Sequence, residues 1–159
     1  MVLLLTECIS FGQQTTELLH TDDPELYFGF FSFQSAVEKD IRKISDPSGA
    51  AVFRQAAARH LNISEADLAI LQRVAGSTLD AISNVTSSHR TYLSNEAAAG
   101  RMPDAMVLAS FQTQRVELLK TGAENLRQTM SLAGWQAVQA YVNGQYRAGI
   151  VHKEVTRGK

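Results

Sequence analysis

Residues 64–96 read SEADLAILQRVAGSTLDAISNVTSSHRTYLSNE, and this stretch decides the fold. It contains no proline and a single glycine, Gly76. A mainly apolar stripe recurs in it at spacings of three and four residues: Leu68, Leu71, Ala75, Thr78, Ile82, Val85, His89 and Tyr92. Because an α-helix turns once every 3.6 residues, this spacing places the stripe on one face. The stretch is therefore predicted to be a long amphipathic helix, with a kink expected at Gly76 or in residues 83–88 if it bends.

A second long helical pattern covers residues 104–130, directly after a break that contains Gly100 and Pro103. Its apolar stripe is broad: Val107, Leu108, Phe111, Leu118, Leu119, Leu126 and Met130. Arg115 lies beside this stripe, and its charged end is expected to reach water or to pair with an acid. Two long neighbouring helices joined by a short turn lie antiparallel, so the two patterns predict a helical hairpin.

Further helix signals flank this hairpin. Asp23-Pro24 is a helix start, with Asp as N-cap and Pro at the first helical position, and the helix is expected to end at Asp46-Pro47. A shorter helix is predicted from Ser48 to about His60, with Val52 and Phe53 on its apolar face, and Ser131 is the expected N-cap of a last helix. No long period-two pattern of β-branched residues occurs. The sequence predicts an all-α, bundle-like fold of about five helices built on the long antiparallel hairpin.

Composition excludes several classes of function. The chain has 159 residues and a formal net charge of −1, with Lys and Arg scattered singly. Nucleic-acid binding needs clustered positive charge, so no nucleic-acid partner is expected. No stretch approaches the roughly 20 apolar residues that span a bilayer, so no integral membrane segment is expected. The single cysteine, Cys8, precludes an internal disulfide.

The sequence divides into four segments. Residues 1–12 are a candidate signal-peptide remnant, because a short apolar patch precedes Ser10-Phe11-Gly12, which has the small residues of a cleavage site. The alternative is a frayed apolar N-terminus, or a short strand-like arm packed on the bundle. Residues 13–22 form a polar linker, residues 23–150 the helical bundle domain and residues 151–159 a charged tail. The signal-like pattern predicts a periplasmic or secreted protein, with the cytoplasm as the alternative.

Two groups of residues are candidates for function. Phe28, Phe30 and Phe31 crowd the start of the first helix, and together with Trp135 they are either a partner-binding surface or part of the core. His89 falls on the stripe of the long helix, where leucine would be expected. It is either a buried titrating group or a histidine satisfied at the stripe edge.

No motif for catalysis or for a cofactor occurs. The chain lacks a nucleophile elbow, a phosphate-binding glycine loop and a haem attachment sequence. Glu17 and His20 have the spacing of di-iron bundle ligands, but that chemistry needs two such motifs and the sequence contains one. The chain is therefore expected to be non-enzymatic and to need no cofactor.

Two short stretches resemble known proteins. Residues 60–68, HLNISEADL, followed by two long helical patterns, look like small uncharacterised secreted helical proteins of soil bacteria. Residues 132–136, LAGWQ, are similar to the Leu-Thr-x-x-Gln element of periplasmic envelope-stress chaperones, with Ala133 in place of threonine. Those chaperones are dimeric helical cradles for unfolded clients, and the resemblance implies no individual functional residue here.

Two functions follow from these patterns, and an enzyme of unrecognised type, with a site built from residues distant in sequence, stays open as a third alternative. The first is a non-enzymatic, exported helical interaction module, which would act by chaperone-like binding of clients or by docking another protein or a second copy of the chain. The second is a helical bundle that binds a small molecule or metal in a cavity between helices, lined by phenylalanines and His89.

Overall fold

The computed structural model describes residues 24–149, all of them in helices or in the short connections between helices. The helices are α1 (Pro24–Arg42), α2 (Pro47–Leu61), α3 (Glu65–Ala98), α4 (Ala105–Thr129) and α5 (Leu132–Tyr141). A π-helical turn, Val142–Tyr146, continues directly from α5. The all-α prediction with five helices and a bundle-like architecture is confirmed. The candidate signal remnant, the polar linker, Glu17 with His20, and the charged tail lie outside the described residues.

The hairpin of α3 and α4 is the largest packing unit of the bundle. Helix α3 runs without interruption through Gly76 and through residues 83–88. Gly100 then takes a left-handed backbone conformation with φ of 65°, which turns the chain. The backbone N–H of Asp104 donates to Tyr92 Oη at 2.7 Å, and this bond fixes the start of α4 against the end of α3.

The hairpin has two parts that differ in burial. Fully buried side chains occur in α3 only as far as Ile82, and in α4 only from Leu119 onward. Residues 83–118, which we call the distal hairpin, therefore extend beyond the main core. The distal hairpin is held by partly buried contacts between α3 and α4 and by the first turn of α1.

Helix α1 fills the groove of the hairpin with its aromatic side chains. Phe30 and Phe31 have no exposed surface, and Tyr27 packs edge to face on Phe31 with ring centroids 5.9 Å apart. Glu25 lies near Arg115 of α4, and Phe31 lies near Gly122 of the same helix. The two helices therefore run in the same direction, with α3 antiparallel to both.

Asp46 has a different role from the predicted one. It was expected to help end the first helix, but α1 already ends at Arg42 and Asp46 is the N-cap of α2. Its carboxylate accepts hydrogen bonds from the backbone N–H groups of Ser48 and Gly49, with Pro47 as the first helical residue. Asn62 ends α2 in the left-handed conformation, with φ of 55°.

A buried carboxylate joins the starts of two helices, and we call this arrangement the Asp67 junction. Ser64 caps α3 and Ser131 caps α5, as predicted. The Asp67 side chain accepts from Ser64 Oγ and Ser131 Oγ, and from the backbone N–H of Ser131, each at 2.8 Å. Gly134 packs against the same carboxylate, and a Cβ there would lie 2.6 Å from it. The Asp67 junction thus fixes the α4–α5 connection on α3.

The last helix packs on α1 and α2 through aromatic rings. Trp135 and Val138 are buried in the core, and the rings of Tyr141 and Tyr146 lie 6.0 and 5.7 Å from that of Phe30. The Tyr141 hydroxyl is 3.1 Å from His60 Nε2. Within residues 24–149, no helix combines the length and hydropathy that crossing a bilayer requires.

Candidate functional site

His89 lies on the inner side of the distal hairpin. Its ring stacks on Phe111 of α4, with centroids 4.8 Å apart and an angle of 27° between the planes. Phe111 also contacts the ring of Tyr92 at 6.2 Å. The hairpin pairing brings His89 and Phe111 opposite one another, since each is about ten residues from the turn at Gly100.

A cavity of about 150 Å³ adjoins this aromatic stack. Its walls come from both helices of the hairpin: Val85, Thr86 and His89 of α3, and Leu108, Phe111, Gln112 and Arg115 of α4. Three of these residues are apolar and none is acidic. The cavity is thus a partly apolar cleft with one permanent positive charge.

Arg115 is held in the cavity wall by several neighbours. Its Nη2 lies 3.6 Å from the Glu25 carboxylate, and the guanidinium lies 5.4 Å above the ring of Phe28. Its Nη1 donates to Gln112 Oε1 at 3.4 Å. Glu25 and Phe28 both belong to the first turn and a half of α1, so residues of both α1 and α4 position this side chain. The expectation that Arg115 pairs with an acid is met by Glu25.

Two nitrogen atoms at this cavity have no hydrogen-bond partner in the described part of the protein. They are His89 Nε2 and Arg115 Nε, and both are shielded from bulk water. An unsatisfied buried donor costs about 1–3 kcal/mol, and more for a charged group. Nearly all buried polar groups in proteins have a partner. Two such atoms beside one cavity make it the candidate site, because an ordered water or a bound ligand there would complete their hydrogen bonding.

A larger concavity, the α1–α3 groove, is lined by residues of α1 and α3 and by Arg54 of α2. It has a volume of about 750 Å³ and includes the buried Gln72, whose Nε2 also has no partner among the described residues. Its rim carries the acids Glu38, Glu65 and Asp80 and the basic residues Lys39, Arg42, Arg54 and Arg73. The groove therefore carries charges of both signs, and its lining does not favour an anion or a cation.

The predicted partner-binding residues lie mostly in the interior. Phe30 and Phe31 are fully buried and Trp135 is buried, so they form core and cannot present a surface to a partner. The core alternative fits these three residues, because all of them belong to the hydrophobic cluster that joins α1 to the other helices. Phe28 is half-buried and contacts Arg115 at the edge of the cavity.

The exposed aromatic surface lies elsewhere. Val52 and Phe53 are each 59 % exposed, and Phe33 is 43 % exposed. Val52 and Phe53 were expected to form the packed face of the second helix, but α2 packs through Ala50, Ala58 and Leu61 instead. Small alanines permit the closer helix approach, and the larger side chains consequently point outward.

No group of three or more possible metal ligands occurs within residues 24–149. Apart from His89 itself, the residues that line the cavity include no His, Cys, Asp or Glu. Of the cavity residues, the sequence predicted only His89 as functional. Arg115 lies beside the apolar stripe of α4 in the sequence. Its place in the same cavity as His89 depends on how α3 and α4 pair and on its contacts with α1, which the sequence does not specify locally.

The chain matches no protein-family model, no curated protein and no solved structure. The residues of the cavity and their contacts are therefore the evidence from which a function can be inferred.

Proposed function

We propose that this protein is a non-enzymatic helical binding module that takes one small molecule into the cavity between α3 and α4. The observation that carries the proposal is the pair of unpartnered nitrogens, His89 Nε2 and Arg115 Nε, at a single cavity. Ligand sites are concave and mostly apolar, with a few polar groups that fix orientation. The cavity likewise combines an apolar wall, formed by Val85, Leu108 and Phe111, with a few polar groups.

The cavity limits the size of the ligand. A volume of about 150 Å³ holds one six-membered ring with a small substituent. Peptides and nucleotides are much larger than this. The ligand is therefore of fragment size, and its affinity is bounded by its few heavy atoms.

A screen of a chemically diverse fragment library by ligand-observed NMR tests the proposal. We expect at least one fragment to bind saturably and to raise the melting temperature, because binding to the native state stabilises it. The Val85→Phe variant fills the cavity and should abolish this binding. Val52→Phe makes the same change on the exposed face of α2 and should not. Absence of any saturable fragment, or equal binding to both variants, would overturn the proposal.

A second candidate function is docking of a protein, and the exposed side chains of Phe33, Val52 and Phe53 favour it. A chaperone-like form of this function predicts that the protein suppresses aggregation of a refolding client. Light scattering at equimolar dose measures this, and replacement of Phe53 by Ser should weaken any suppression. No suppression by the unmodified protein would contradict the chaperone-like form.

An exported location belongs to the same proposal and rests on the pattern of residues 1–12. N-terminal sequencing of protein purified from its native host tests it. We expect a mature start near Gln13, and a start at Met1 or Val2 would contradict export through a cleaved signal.

A further inference from the structure

We infer that the ligand of the α3–α4 cavity is a small monocarboxylate with a flat apolar body. This inference rests on the proposed function and names the chemical class of its ligand. Its basis is the placement of an arginine and a histidine, both with unpartnered nitrogens, against an aromatic and aliphatic wall.

The polar side of the cavity favours an anion. Arg115 is permanently protonated, so its Nε can only donate. Two wall oxygens already have partners: Thr86 Oγ1 donates to the carbonyl of Ile82 at 2.9 Å, and Gln112 Oε1 accepts from Arg115. With no acid in the wall, the groups that face a ligand are mainly donors: Arg115 Nε–H, the amide NH₂ of Gln112, and His89 Nε2, which donates in its Nε2–H tautomer.

These donors suit a carboxylate. A carboxylate has two acceptor oxygens, and in the proposed complex one accepts from Arg115 and the other from His89. Charge-assisted hydrogen bonds of this kind are about twice as strong as neutral ones. A phosphate monoester would bring nearly two negative charges to a single cation that Glu25 already partly neutralises at 3.6 Å. The charge balance therefore favours a monoanion.

The apolar side of the cavity favours a flat ring. Val85, Leu108 and Phe111 form this side, and Phe111 already stacks with an aromatic plane, that of His89. Aromatic pairs at centroid distances of about 4.5–7 Å are favourable beyond the area that they bury. The volume of the cavity fits a single such ring.

Three probes of nearly equal shape test whether the cavity prefers an anion, a neutral molecule or a cation: benzoate, benzyl alcohol and benzamidine, respectively. We expect benzoate to shift the NMR signals of residues 85–89 and 108–115 saturably, and to bind at least about tenfold more tightly than benzyl alcohol. Benzamidine should not bind, because its cation meets Arg115. Inorganic phosphate, titrated at constant ionic strength, should bind more weakly than benzoate.

Two substitutions test the role of Arg115 without filling the cavity. Arg115→Gln should remove the preference for benzoate over benzyl alcohol. Glu25→Gln leaves the cavity wall intact but releases Arg115 from its acid, and should tighten benzoate binding by about two- to fivefold. Glu38→Gln is the matched control on the same helix, since Glu38 pairs with Arg42, outside the cavity, and it should leave the affinity unchanged.

The outcomes distinguish the carboxylate assignment from the proposed function as a small-molecule binding module. Equal binding of benzyl alcohol and benzoate, tighter binding of phosphate than of benzoate, or an affinity insensitive to both Arg115→Gln and Glu25→Gln would overturn the carboxylate assignment while the cavity remained a ligand site. Failure of every fragment in the library screen would overturn the proposed function and this inference together.

Discussion

At the scale of single residues, the Asp67 carboxylate is the group on α3 that links two helix starts. Burial of this carboxylate by itself raises the pKa, but the hydrogen bonds from Ser131 and Ser64 outweigh burial and bring the pKa below its ordinary value of 3.8. The folded state therefore favours the ionised form more than the unfolded chain does. The stability from this preference is present above about pH 4 and is lost as the pH falls through the lowered pKa.

Replacement of Asp67 by Asn tests this linkage. The amide keeps the shape but cannot accept all three hydrogen bonds, so we expect a loss of about 2 kcal/mol in the free energy of unfolding at pH 7. The difference between variant and parent should shrink as the pH falls below about 4. Urea unfolding at pH 7, 5 and 3 measures this. Asp80→Asn, an exposed position on the same helix, is the control, and a pH-independent difference would contradict the linkage.

The Asp67 junction requires a glycine at position 134 because a side chain there would have no space. The backbone conformation at this position does not itself require glycine. Alanine usually favours a helix by about 1 kcal/mol over glycine. At Gly134 the added Cβ would lie 2.6 Å from the Asp67 carboxylate, so Gly134→Ala should instead destabilise the protein by about 1–3 kcal/mol. Chemical denaturation measures the change. A gain in stability would show that the Asp67 side chain can move away from the added methyl group with little loss of free energy.

At the scale of helices, the close approach of α3 and α4 depends on Gly122. A Cβ there would lie 2.6 Å from Thr78 Oγ1 and 3.1 Å from the ring of Phe31. Both neighbours are buried, so neither can move into solvent. Gly122 is thus the position at which three helices meet.

Gly122→Ala should lower the free energy of unfolding by about 1–3 kcal/mol because it overpacks this contact. Gly76→Ala is the matched control within the same hairpin. A Cβ at Gly76 would meet no neighbouring atom within 4 Å, so that change should stabilise α3 by about 0.5–1 kcal/mol. Thr78→Ala should restore part of the loss when combined with Gly122→Ala, as a double-mutant cycle measures. Equal effects of the two glycine substitutions would contradict the close approach.

The sequence predicted the helices better than it predicted their faces. The caps at Ser64 and Ser131 and the end of α2 at Asn62 follow from local hydrogen bonding, which the sequence specifies directly. The buried face of α2 does not follow from local hydrogen bonding, because either the alanines or the larger side chains of Val52 and Phe53 could have packed inward. Neighbouring helices decide which side packs, and it is the alanine side that packs against them.

Of the residues that line the candidate site, the sequence identified only His89 as a functional candidate. His89 interrupts an apolar stripe, and that pattern is visible in the sequence. The approach of Glu25 and Phe28 to Arg115 requires α1 to run in the direction of α4. No local signal specifies the relative direction of two helices that are separated by about 60 residues.

At the scale of the whole molecule, one hydrophobic core joins all five helices, and Phe30 lies within it. Phe30→Ala should reduce the free energy of unfolding by about 3–5 kcal/mol, a large share of the roughly 5–15 kcal/mol typical of a domain. Phe53→Ala removes the same ring from an exposed position and should change stability by less than about 0.5 kcal/mol. Thermal and urea unfolding compare the two variants. Similar losses would show that Phe53 is not at the surface in solution.

The separation of the distal hairpin from this core has a consequence for access to the cavity. Segments with few buried contacts open locally at far less cost than global unfolding. If the cavity binds a ligand as proposed, that ligand would enter through a transient separation of the α3 and α4 segments near the Gly100 turn, while the rest of the bundle stays closed. Occupancy would then slow amide hydrogen exchange in residues 85–115 and leave the exchange of residues 65–82 unaltered.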